Sequence, residues 1–147
     1  MRSFVFILVL CGVMVFSAAC LAENPVQCGD LVLVVTGFKS NAGQARIQVM
    51  DSERAVTNES ISFCMIRSRI VNQKVEIVLK GVPYGQYAVQ VFHDVNGNGV
   101  IDKNIFGVPK EEYGFSNNVR GKLGHPDYAD MRFELKEPLA TQQISVQ

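Results

Sequence analysis

Apolar and polar residues alternate in short runs along most of this chain, and the period is two, the signature of half-buried strands, rather than the 3.6 of a helix. Asp30 to Phe38 (DLVLVVTGF) is a β-branched and aliphatic run bounded by polar turns; it is too short for a helix and predicts a central strand. Ser40 to Gln44 (SNAGQ) supplies a turn. Ala45, Ile47 and Val49 then alternate with Arg46, Gln48 and Met50, which predicts a second strand folded onto the first as a hairpin. After a polar stretch, Ile61 to Val71 reads either as a strand carrying Cys64 inward or as an irregular crossover between sheets, and the strand is preferred. Val75, Ile77 and Leu79 alternate with Lys74, Glu76, Val78 and Lys80. GVPYG (Gly81 to Gly85) turns the chain, and Tyr87, Val89 and Val91 alternate with Ala88 and Gln90, so these two strands are expected to be antiparallel neighbours. Met131, Phe133 and Leu135 mark a further strand, and Gln142 to Val146 the last. Short strands separated by Gly, Pro and Asn turns imply an all-β fold, an antiparallel β-sandwich of about seven strands.

The first residues follow another pattern. Arg2 precedes an apolar run from Phe4 to Phe16, and the small residues Ser17, Ala18 and Ala19 follow, as in a secretory signal peptide. The run falls short of the roughly 20 apolar residues that span a bilayer, and no second such run occurs, so no transmembrane segment is expected after the leader. Cleavage after Ala22 leaves residues 23–147 as a single domain, exported to the periplasm or secreted. The rival reading makes Cys20 a lipidated first residue, but Ser17 stands where a lipoprotein signal prefers an aliphatic side chain. With the leader removed, only Cys28 and Cys64 remain of four cysteines. An even pair in an oxidising compartment predicts a disulfide, worth on the order of 3 to 4 kcal/mol by loop closure; two separate thiols are the alternative. Of the 14 Lys and Arg, Arg2 lies in the leader, leaving 13 against 14 Asp and Glu. That balance argues against nucleic acid or an anionic membrane surface as a partner.

From Val82 to Asn118 the chain carries YGQYAV, FHDVNGNGVID and FGVPKEEYGFSNN in that order, with VTGFKSNAGQARIQV near the start. On these motifs it resembles a family of exported bacterial proteins known as DUF2141. It implies export and an immunoglobulin-like or transthyretin-like sandwich, and it implies no activity. GVPYGQYAV also looks like the L-P-x-G-x-Y corner of transthyretin-like and Cna-B-type modules. In such a corner, Tyr87 would send its hydroxyl across the bend to a backbone group.

The candidate chemistry lies in the same stretch. Asp94, Asn96, Asn98 and Asp102 stand at the first, third, fifth and ninth positions of an Asx loop, with Gly99 at the sixth and the Val100 carbonyl at the seventh, a spacing that suits Ca2+. Ile105 occupies the twelfth position, where a full EF-hand has a bidentate Glu, so binding would be weak, in the roughly 10⁻⁴ to 10⁻³ M range. Glu111 or Glu112 could fold back to complete the shell. The competing reading is a plain turn in which Asn96-Gly97 and Asn98-Gly99 bond to their own backbone. Beyond it, Asn104 to Arg120 is long for a sandwich loop and rich in apolar residues. Phe106, Tyr113, Phe115, Asn117 and Asn118 mix aromatic faces with amides, as in sites that recognise sugars or peptides; alternatively Phe106 and Phe115 plug the open end of the sandwich while Asn117 and Asn118 make local turns. His93 and His125 are the only histidines and are more naturally unrelated than a shared site. No nucleophile motif is present. The expectation is a non-enzymatic exported binding or envelope-associated module, its partner a glycan or an envelope protein. The alternative is a small carbohydrate-active or hydrolytic protein using Tyr113 to Asn118 with His93.

Overall fold

The computed structural model describes residues 26–121 and 124–147; the expected leader and Cys20 lie outside the described residues. Eight strands form two sheets: β1 (Cys28–Thr36), β2 (Gln44–Met50), β3 (Cys64–Ser68), β4 (Lys74–Pro83), β5 (Gly85–Asp94), β6 (Tyr113–Phe115), β7 (Phe133–Leu135) and β8 (Leu139–Ser145). One sheet has the order β4-β1-β8. The other runs β3-β2-β5-β6, with β7 pairing the start of β5. All pairings are antiparallel except β1 with β8. The all-β sandwich expected from the pattern is the fold, and β1 is central to its sheet.

The alternation translates directly into the interior. Leu31, Leu33 and Val35 of β1 stand opposite Leu79, Ile77 and Val75 of β4, while Ala45, Ile47 and Val49 of β2 pair His93, Val91 and Val89 of β5. These inward faces meet in one core with Phe38, Tyr87, Leu135 and Ile144. Truncating a core leucine such as Leu33, fully buried, costs about 2–5 kcal/mol. A smaller cluster of Met50, Ala55, Ala88, Phe115 and Met131 lies on the opposite face of β2 and β5, capped by two single helical turns, α1 (Arg54–Thr57) and α2 (Tyr128–Met131).

Two expected pairings are corrected. β1 and β2 are not a hairpin, because the chain passes from one sheet to the other between Gly37 and Gly43, anchored midway by buried Phe38. Gly43 ends that passage at φ +66°, packed so closely that a Cβ would overlap the Asp94 carbonyl. Likewise β4 and β5 are not neighbours; the chain turns a corner at Tyr84 and enters the other sheet. The corner is the one the tyrosine predicts, since Tyr87 donates its hydroxyl to the Pro83 carbonyl at 2.8 Å. Within 61–71 the strand is confined to β3, preceded by a 3-10 turn at Glu59–Ile61. Met131 ends α2 rather than starting a strand.

The expected disulfide is not formed: Cys28 and Cys64 are free thiols. Cys28 is exposed at the start of β1, with its thiol 3.5 Å from the Val26 carbonyl. Cys64 starts β3 in the other sheet and packs against the core, where burial pushes its thiol pKa up.

Candidate functional site

The end of β5 and the loops that follow it are organised by two adjacent residues that face opposite ways. His93 points inward: its Nε2 lies 2.7 Å from the Ala42 carbonyl and its Nδ1 lies 2.7 Å from Glu112 Oε2, with Phe38 edge-on to the ring. The other Glu112 oxygen takes the Lys39 ammonium at 2.8 Å. Burial raises the Glu112 pKa, but the hydrogen bonds from Lys39 and His93 outweigh it and hold the carboxyl below its ordinary value.

Asp94 points outward and is buried beneath the loop that follows it. Its Oδ2 accepts from Arg46 Nε at 2.8 Å, Gln44 Nε2 at 3.1 Å and the Gly99 N–H at 3.1 Å, while Oδ1 is buried without a partner. Burial raises this pKa too; the bonds from Gln44, Arg46 and Gly99 prevail and lower it. The Arg46 guanidinium sits against Gly99, close enough that a Cβ there would strike it.

Within the loop, the Asn96 and Asn98 side-chain oxygens accept from the N–H groups of Asn98 and Val100, both at 2.9 Å. Their amide nitrogens donate to the two oxygens of Asp102 at 2.6 and 3.0 Å. The Asx bonds of the plain-turn reading are therefore made. Glu111 does fold back: Oε1 accepts from Val95 N–H and Oε2 from Asp102 N–H, both at 2.9 Å, so one buried carboxylate clasps both ends of the loop. Among the described residues, no group of three or more His, Cys, Asp and Glu side chains is arranged to hold a metal ion. Asp94, Asp102 and Glu111 place carboxylates around the loop, but the oxygens of Asp102 and Glu111, like those of Asn96 and Asn98, are engaged in hydrogen bonds within it, and Arg46 already neutralises Asp94.

The five residues of the expected contact loop separate. Phe106 is 82% exposed on a small hairpin closed by the Lys103–Pro109 bridge. Tyr113 is half-buried on β6, with Arg120 over its ring. Phe115 is buried in the smaller cluster. Asn117, at φ +59°, donates through one amide nitrogen to the carbonyls of Asp130, Met131 and Arg132. Asn118 bonds the Gln143 carbonyl and the Ser145 N–H of β8. The two asparagines thus fasten the loop to the end of α2 and to β8.

Between these loops the outer face of β5 and β6 floors a groove of about 790 Å³, lined among others by Gln90, Phe92, Ile101, Lys103, Tyr113 and His125. His125 Nε2 lies 2.6 Å from Gln90 Oε1. His93, on the inner face, is not part of this lining, so the two histidines are not brought together. Gln90 and Phe92 were not offered as site residues by the sequence, and His125 was weighed only together with His93. The first two do sit at the outward positions of a strand whose inward positions were recognised, which is the signal that could have found them.

No curated protein and no solved structure gives a significant match to the chain. A family model described as an uncharacterized protein conserved in bacteria matches residues 33–143, which takes in every strand but the start of β1 and the end of β8. The chain belongs to the DUF2141 family.

Proposed function

We propose that the protein is an exported, non-enzymatic binding module of the bacterial envelope, and that the groove over β5 and β6 receives its ligand. The observation that carries this reading is the groove's lining: Tyr113 and Phe92 offer aromatic surface beside the polar groups of Gln90, Lys103 and His125. Aromatic faces next to amides and a cation suit a glycan or an extended peptide. The buried ionisable groups outside the groove are spent on structure, His93 with Glu112 and Asp94 with Arg46, which favours binding over catalysis. The carbohydrate-active or hydrolytic alternative loses His93 and both asparagines from its site and keeps Tyr113.

The test is a glycan and peptide array probed with the native protein and with Tyr113→Ala and Gln90→Ala, whose side chains are only partly buried, thermal melts checking that each variant is folded. A ligand lost in both variants supports the groove. A ligand retained by both refers binding to another surface, and turnover of any hit would move the protein to the enzymatic reading. Export is tested separately by cell fractionation, and intact mass reports whether the chain begins at Glu23 or at a lipidated Cys20.

The loop from Asp94 to Asp102 is proposed as a weak calcium site. Its support is the unpartnered buried Asp94 Oδ1, with the carboxylates of Asp102 and Glu111 joined to the same loop. Bound calcium would supply charge that fixes the loop. At ten times its Kd it would stabilise by about 1.4 kcal/mol through mass action. Millimolar calcium should therefore raise the Tm of a chelator-stripped sample by several degrees, and Asp102→Asn should abolish the rise. An unchanged Tm removes calcium from the account and leaves the internally bonded turn.

A further inference from the structure

The segment from Lys103 to Lys110 (KNIFGVPK) builds a hairpin whose turn is apolar. Turns at a protein surface ordinarily carry Gly, Asn, Asp, Ser or Pro. Here Ile105 is 93% exposed, Phe106 82% and Val108 54%. The backbone beneath them is well tied. Asn104 donates its N–H to the Val108 carbonyl at 2.8 Å and accepts the Gly107 N–H at 2.9 Å, while its side-chain oxygen takes the N–H groups of Phe106 and Val108 at 2.9 and 3.0 Å. The large side chains are thus held outward by a frame that satisfies its own polar groups, and among the described residues Ile105 and Phe106 are left almost wholly uncovered.

The exposed charge at the base is basic, although the chain as a whole is near neutral; Asp102, next to Lys103, is half-buried and its two carboxylate oxygens are taken by the Asn96 and Asn98 amides. Lys103 and Lys110 flank the turn and are exposed, and residues 103–110 contain no acidic side chain. The acidic residues that follow, Glu111 and Glu112, are turned inward and bonded to backbone N–H groups, Lys39 and His93.

We propose that this hairpin is a wedge that inserts Ile105 and Phe106 into the surface of an anionic phospholipid bilayer, with Lys103 and Lys110 at headgroup level. The proposal deepens the envelope association above and rests on it for its setting. An exposed tip with cations at its base matches an interface where apolar atoms enter the acyl boundary while ammonium groups stay among phosphates.

The chain contains no tryptophan, so Phe106→Trp provides a single fluorescent reporter. The full protein, processed and purified from expressing cells, is mixed with vesicles of phosphatidylglycerol and phosphatidylcholine, and sedimentation and emission are read together. The expected result is co-sedimentation with a blue shift of the reporter. Ile105→Ser with Phe106→Ser should lower the partition coefficient at least tenfold. Lys103→Glu with Lys110→Glu should lower it several-fold and flatten its dependence on salt. Because all four side chains are exposed, unchanged Tm values are expected for every variant. Failure of the native protein to bind, or binding that survives the double serine change, overturns the proposal. So does a concentration-dependent dimer that the serine changes abolish in the absence of vesicle binding, since it would identify a second copy as the occupant. Fractionation reads export independently: an exported protein that ignores vesicles overturns the wedge alone, and vesicle binding by a protein retained in the cytoplasm overturns the envelope reading alone.

Discussion

Removing the Glu111 carboxylate should loosen the loop from Asp94 to Asp102 and lower the stability of the whole domain. Each of its oxygens accepts one backbone N–H at 2.9 Å, from Val95 and from Asp102, and the residue is only 7% exposed. A hydrogen bond to a charged group contributes about 1.5–3 kcal/mol. Val95 is exposed and Asp102 partly so, so water can replace part of the loss in Glu111→Ala, and the sum is about 3 kcal/mol. For a domain of this size, at about 4 °C per kcal/mol, the Tm should fall by roughly 10 °C. Glu111→Gln is the sharper probe. Its amide keeps one acceptor but turns a donor toward the second N–H, and the cost should be about half. Thermal melts give the global effect, and amide hydrogen exchange resolved at Val95 and Asp102 reports the loop. The clasp is refuted if Glu111→Ala moves the Tm by less than about 2 °C and leaves both amides as protected as before.

Other outcomes follow from the same bonds. Tyr87→Phe removes the hydroxyl that spans the corner to Pro83 and should cost about 1 kcal/mol, with the lost acceptor's desolvation adding up to ~2 more, measurable by urea unfolding. Asn117→Ala loses three carbonyl contacts from a residue at positive φ; it should cost about 2 kcal/mol, with Asn117→Gly recovering only the backbone part. Asp94 and Glu112 both have lowered pKa values when folded, against ordinary values of 3.8 and 4.5. Their contribution is thus full above those values and lost as pH falls through them toward the folded values. The Tm should be flat near neutrality and drop below about pH 4.5, less steeply in Glu112→Gln. Alkylation of the unfolded, unreduced protein should label Cys28 and Cys64; a mass two hydrogens short of the reduced chain would refute the free thiols.

Strand faces were legible in β2, β4 and β5 because the period of two is local and each inward residue declares itself by its neighbours, whereas the continuous apolar run of β1 announced a strand without its faces. Partnership was not legible, because it depends on where the connection goes. Between β1 and β2 the decisive residues are Phe38, which needs burial, and Gly43, which must pass against the Asp94 carbonyl; neither marks a sheet crossing on its own. At GVPYG the sequence held two incompatible readings, a hairpin turn and a tyrosine corner, and the corner prevailed because the Tyr87 hydroxyl reaches Pro83 only if the chain bends there. The loop chemistry was half legible. Asx spacing located the turn and offered Glu111 or Glu112 as the residue folding back, whereas Arg46 lies 48 residues before its partner and only the β2–β5 register brings it there.

That register explains why the loops at this end are ordered enough to carry a groove and an exposed tip. Adjacent residues on a strand face opposite sides, so His93 and Asp94 leave β5 as one inward and one outward polar group. Glu111 and Glu112, entering β6 in the antiparallel direction, divide in the same way. Glu112 joins His93 and Lys39 on the inner side and ties the β1–β2 passage to β5, while Glu111 clasps the loop over Asp94 on the outer side. Two dipeptides thereby brace the segment 95–112 from both faces of one sheet. Loss of either clasp should release the hairpin at Ile105 and the groove wall at Ile101 together, whereas substitution of Ile105 and Phe106 themselves should leave both clasps intact. Hydrogen exchange across 95–112 in Glu111→Ala, compared with Ile105→Ser/Phe106→Ser, separates the frame from what it presents. Faster exchange along the whole segment in the first variant alone is the expected pattern, and equal exchange in both would mean that the tip is held by something other than these carboxylates.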